Sequence, residues 1–200
     1  MKTFSEFLIE SKNKPVLVVD LQQPFLKHFP NYPIEKVMGF LNQQKSITHI
    51  YVSNEEGFLD TEQSEQDVLY FWEENGFDTT KNVQMIDKRG WGFFRDWIDK
   101  GISNRTIIQT IRLMFSKKIT DFRDFEGMDI EKLFGMKEDD FLELFENESF
   151  YLPELSMSAL KQLNGCYLIG GGKTECLLEI KLLLDAFNIK YKQITNFIYG

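Results

Sequence analysis

Residues 167–187 read YLIGGGKTECLLEIKLLLDAF: an apolar run, three glycines, then apolar residues at helical spacing. A strand that enters a glycine turn and leaves as a helix is half of a β-α-β unit. Upstream, PVLVVD (15–20) reads as a buried parallel strand, IEKVMGFLNQQ (34–44) as a helix and THIYVS (48–53) as a second strand. SEQDVLYFWEENG (64–76) is a helix stopped by glycine, VQMID (83–87) a third strand and FFRDWIDKG (93–101) another helix. GCYLIGG (165–171) is the fourth strand, 174–187 its helix, and KYKQITNF (190–197) the fifth strand. This alternation predicts a three-layer α/β fold with a mainly parallel sheet of about five strands, covered by helices on both faces.

One segment departs from the alternation. From Ser103 to about Tyr151 only helical patterns appear, in NRTIIQTIRLMFSKK, MDIEKLFGM and KEDDFLELFEN. The chain is therefore expected to hold an N-terminal segment (1–14) and one domain (15–200) with a helical insertion at about 103–151. The insertion is expected to act either in packing and homo-oligomer contacts or as a lid over the site.

Composition narrows the function. The chain has 200 residues, enough for one sizeable core. A net charge of −8 argues against nucleic acid or an anionic membrane as partner. No apolar run is long enough to span a bilayer, and MKTFSEFLIESKNK lacks the features of a secretory signal. Two cysteines do not make a disulfide framework, which predicts free thiols and a reducing, cytoplasmic setting. Two histidines and no Cys-x-x-Cys leave no all-His/Cys metal site, so no metal is expected.

The glycine turn has two readings. Gly172-Lys173-Thr174 suggests a phosphate loop, which needs a glycine five positions before Gly172, and that place is Tyr167 in the strand. The nucleotide reading fails on that count, and no cofactor is expected. In the other reading Thr174 caps the helix and Cys176 sits in its first turn, where unpaired N–H groups and a nearby ammonium are expected to lower a thiol pKa. A buried, purely structural cysteine is the alternative, as it is for Cys166 in the strand.

A nucleophilic thiol needs a base or a cation within reach. The first strand ends in Asp20 and the third in Asp87-Lys88. Parallel strands place such ends at one crevice, where ligands bind in sheets of this type.

Together these residues resemble the isochorismatase-like cysteine hydrolases, which include nicotinamidases and N-carbamoylsarcosine amidohydrolases. The first-strand pattern Asp-x-Gln-x-x-Phe is matched by Asp20, Gln22 and Phe25, the lysine pattern by Lys88 and Phe93, and the nucleophile pattern by Gly170 and Cys176. The resemblance covers roughly 15–101 and 152–197. It implies strand order 3-2-1-4-5 and a triad of Cys176 as nucleophile, Asp20 as base and Lys88 as charge partner. It also implies a cis Gly171–Gly172 peptide and an oxyanion hole built from the backbone of Gly171, Gly172 and Cys176. Phe25, Trp91 and Phe93 are candidate walls of a pocket for a small-molecule substrate carrying an amide or ureido C–N bond.

Three features depart from that pattern. Lys173 stands where Thr or Ser is usual, and SNEEGFLDTEQ (53–63) has no Asp-x-His metal motif. The helical segment is additional. A non-catalytic binding or assembly protein on the same fold is the competing expectation. Separately, MKTFSEFLIES is similar to N-terminal segments of proteins from T4-like tailed phages, in which Leu8-Ile9-Glu10 would fit a processing site.

Overall fold

The computed structural model describes residues 13–53, 62–88, 94–117, 119, 125, 127–146 and 155–200. Five strands form one parallel sheet in the order β3-β2-β1-β4-β5. They are β1 (Val16–Val19), β2 (Ile47–Tyr51), β3 (Val83–Asp87), β4 (Cys166–Gly170) and β5 (Tyr191–Gln193). This is the three-layer α/β architecture and strand order expected from the sequence. The fifth strand is shorter than its pattern suggested. Ile194 donates the last bond, to Leu168 O, and Thr195–Phe197 then turns as a 3₁₀ helix.

The period of two along each strand assigns the layers. Val16 and Val18 of β1, with Tyr167 and Ile169 of β4, face a cluster holding Val37, Phe40 and Trp72. That layer is built by α1 (Gln23–Leu26), α2 (Ile34–Leu41) and α3 (Glu65–Glu74). Leu17 and Val19, with Cys166 and Leu168, face the opposite cluster with Trp97, Ile111 and Ile180. Here lie α4 (Arg95–Asp99), α5 (Asn104–Lys117), α6 (Ile130–Phe134), α7 (Glu138–Glu146), α8 (Met157–Gln162) and α9 (Cys176–Ala186). All four β1 residues are fully buried, which explains why this strand reads as an unbroken β-branched and leucine run.

Local signals set the helix starts. Ser64 caps α3 in a reciprocal capping box with Asp67, satisfying two N–H groups that would otherwise lack partners. Ser156 caps α8 and Asp129 caps α6 in the simpler one-way manner.

The first helix of the 103–151 segment is no appendage. Ile107, Ile111 and Met114 bury one stripe of α5, and the helix packs against α9. Arg112 Nε donates to Ala186 O at 2.6 Å, and the Phe115 and Phe187 rings meet edge to face at 4.9 Å. Thus α5 is a layer helix of the β3-to-β4 crossover, and the material added to that crossover follows it. Among the described residues no helix is long and apolar enough to cross a membrane. Leu8-Ile9-Glu10 lies outside the described residues.

Candidate active site

The carboxyl ends of β1, β3 and β4 carry Asp20, Lys88 and Cys176 to one place. Asp20 follows β1 in a left-handed conformation, with φ of 45°. For a residue with a Cβ this is strained backbone, which persists only where surrounding bonds enforce it. Its N–H donates to Ile50 O at 2.9 Å, and its carbonyl accepts from Gln22 N–H at 2.9 Å and from the Tyr199 hydroxyl at 2.8 Å. Lys88 is fixed to the neighbouring strand by its N–H, which donates to Tyr51 O at 2.9 Å.

Lys88 Nζ donates to Asp20 Oδ2 at 2.6 Å, with both side chains fully buried. The Cys176 thiol is a donor toward the same carboxylate. Oδ1 carries no hydrogen bond of regular geometry.

Burial and pairing set the protonation states. Burial raises the Asp20 carboxyl above its ordinary value, opposed by Lys88 and by the Cys176 and Lys88 hydrogen bonds. Burial alone would lower Lys88, but Asp20, Cys176 and Glu179 together raise it, so the ammonium stays charged. Cys176, only 4% exposed, is raised by burial first and then by the Asp20 charge, against the pull of Lys88. The expectation of a lowered thiol is thereby overturned. The helix N-terminus and ammonium are present, but desolvation and a facing carboxylate outweigh them. Cys176 therefore rests as a thiol beside the Asp20 carboxylate. Cys166 is likewise pushed up to about 12 by burial, with no carboxylate beside it among its causes.

The turn between β4 and α9 depends on its glycines. A Cβ at Gly170 would stand 2.3 Å from Val19 O, and φ is 74° there and 65° at Gly171. These two left-handed residues redirect the chain with trans peptides throughout, so the expected cis Gly171–Gly172 bond is absent. The helix cap also differs. Glu175, not Thr174, precedes the first helical residue Cys176, and no side chain caps it. Instead the Glu175 and Leu177 N–H groups both donate to Gly172 O at 3.1 Å, and Lys173 N–H donates to Tyr199 O at 3.1 Å. These committed donors are not the Gly171, Gly172 and Cys176 N–H groups expected to hold an oxyanion.

Around the triad stand four residues to which the sequence reading gave no role. Gln22 bridges the β1 and β2 exits, donating to Val52 O at 3.0 Å and accepting from Val52 N–H at 2.9 Å. His49 Nε2 accepts from Leu21 N–H at 3.2 Å, while the Trp72 indole donates to Leu21 O at 2.8 Å. The residue after Asp20 is thus held on both sides. Burial and, secondarily, Lys88 pull His49 down to about 3, so it is neutral. Buried Glu179 lies one helical turn after Cys176 and accepts the Phe94 N–H, tying the start of α4 to α9. Tyr199 joins Asp20 to the Lys173 turn. Gln22 was marked by the first-strand pattern, and Glu179 had a local signal, a carboxylate among apolar helix residues one turn from the cysteine.

Of the expected pocket walls, Phe25 is 7% exposed and sits in the apolar cluster shared with α1 and α2. Trp91 and Phe93 lie outside the described residues. No family model, curated protein or solved structure matches the chain.

Proposed function

We propose that the chain is a cysteine hydrolase of the isochorismatase-like class, cleaving a C–N bond of a small amide or ureide. One observation carries this reading: a buried carboxylate at a strained strand end is paired with a buried ammonium at 2.6 Å and accepts from a thiol at a helix start. The raised Asp20 is a better proton acceptor than an ordinary carboxylate. It takes the Cys176 proton as sulfur adds to the carbonyl carbon, and Lys88 offsets the charge that develops. The oxyanion is held by backbone N–H groups of the glycine turn. The C–N bond then breaks, the amine departs with the proton from Asp20, and a thioester remains. Water, deprotonated by Asp20, hydrolyses that thioester and restores the thiol.

Screening primary amides and ureas for ammonia release tests this reading. Turnover is expected for the chain and not for Cys176→Ala or Asp20→Asn; turnover that survives Cys176→Ala contradicts it. The near-complete burial of all three side chains favours a second reading, a binding or assembly protein that keeps the triad as a structural ion pair. That reading is supported if no amide or ureide turns over and Cys176→Ala leaves stability unchanged while Lys88→Met unfolds the chain.

A further inference from the structure

We propose that Tyr199 is a positioning residue that fixes the base and the nucleophile turn relative to each other. Its hydroxyl donates to Asp20 O at 2.8 Å, which helps hold Asp20 at a φ of 45°. Its carbonyl accepts the Lys173 N–H at 3.1 Å, and it forms an isolated parallel bridge with Gly172. One residue therefore touches both segments that must meet for proton transfer.

Tyr199 is itself well held. It is 6% exposed, its ring lies 4.9 Å from Phe29 and 5.7 Å edge-on from Tyr32, and the Tyr32 hydroxyl donates to Phe197 O at 2.8 Å. Burial first, then Asp20 and Cys176, raises the phenol well above its ordinary value, so it remains a donor. Asp20 cannot relax from the left-handed region while the phenol and Gln22 N–H occupy its carbonyl. Its carboxylate is thus held beside the thiol, where it disfavours the thiolate until substrate arrives.

The inference rests on Asp20 and Cys176 being base and nucleophile, but its test needs no turnover. The probe is iodoacetamide, with labelling rates at Cys176 read by mass spectrometry of the native chain and Cys166 as internal reference. Tyr199→Phe keeps the ring packing and removes only the donor. With Asp20 released from the thiol, Cys176 labelling should accelerate about threefold, the change in thiolate fraction given by half a pKa unit. On an Asp20→Asn background the same substitution should leave the rate unchanged, because the phenol acts through the Asp20 charge. General loosening would accelerate both backgrounds equally. That result, or an unchanged or slower rate in the native background, overturns the proposal. Should the phenylalanine variant lose the fold, Tyr199→Met repeats the cycle with another side chain that fills the space without a donor. Loss of hydrolysis in every amide screen would defeat the functional reading and leave this coupling measurable.

Discussion

The strand-end site and the ring cluster of the helices beyond α5 are both buried, yet different forces hold them. At the strand ends directional polar pairs dominate: Asp20 with Lys88, Gln22 with Val52, and Leu21 between His49 and Trp72. In the helical segment the contacts are rings. Phe134 stacks on Phe141 at 4.7 Å, Phe125 meets Phe141 edge to face at 5.2 Å, and Trp97 reaches Phe141 at 6.1 Å. The regions join at Phe94, whose ring lies 5.4 Å from Trp97 and whose N–H serves Glu179. Directional bonds fix one geometry. Ring packing fills volume and tolerates rearrangement of similar shapes.

The comparison predicts how each region breaks. Lys88→Met strands a buried carboxylate and should cost about 3–5 kcal/mol in urea denaturation. Adding Asp20→Asn should recover much of that loss, since the uncompensated charge is gone. Phe141→Ala should also cost about 3–5 kcal/mol, and no second substitution at a ring partner should recover it. Phe141→Leu should cost less than about 1.5 kcal/mol. Additive losses for the Asp20 and Lys88 variants would erase the distinction between the regions.

A smaller effect is set by pH. His49 is held at about 3 in the fold against 6.5 for a free imidazole, so the unfolded chain takes up its proton first as pH falls. The sign follows: its contribution is complete above 6.5 and is lost as pH drops toward 3. His49→Gln should therefore flatten the acid limb of stability between these values, measured by denaturation at successive pH. Asp20, shifted upward, acts in the opposite sense, so the comparison with the parent chain isolates His49. An unchanged acid limb would place the loss elsewhere. The smallest expected effect is remote from both regions. Ser64→Ala removes the α3 cap and should cost about 1 kcal/mol without altering Cys176 labelling.

The sheet was legible because its evidence is local. PVLVVD and GCYLIGG are apolar runs bounded by turn residues, and parallel order follows from the helices between them. The meeting of Asp20, Lys88 and Cys176 was legible because the ends of parallel strands converge. The thiol's protonation was not, because it depends on how completely the surrounding layers exclude water. The turn's bond geometry was missed for a related reason: two adjacent glycines permit several paths, and Val19 O and Tyr199 select one. Tyr199 itself lies 179 residues from Asp20, and nothing in its neighbours marks it.

The central claim is that Cys176 is a nucleophile served by Asp20. It is tested most directly by treating the native chain with an activated acyl ester such as p-nitrophenyl acetate and locating the acyl group by mass spectrometry. The account predicts a burst of nitrophenol with one acetyl group on the peptide bearing Cys176. That burst should be absent in Cys176→Ala and strongly slowed in Asp20→Asn, with Cys166 unmodified. Acetylation confined to surface lysines, or a burst that persists in Cys176→Ala, would contradict it.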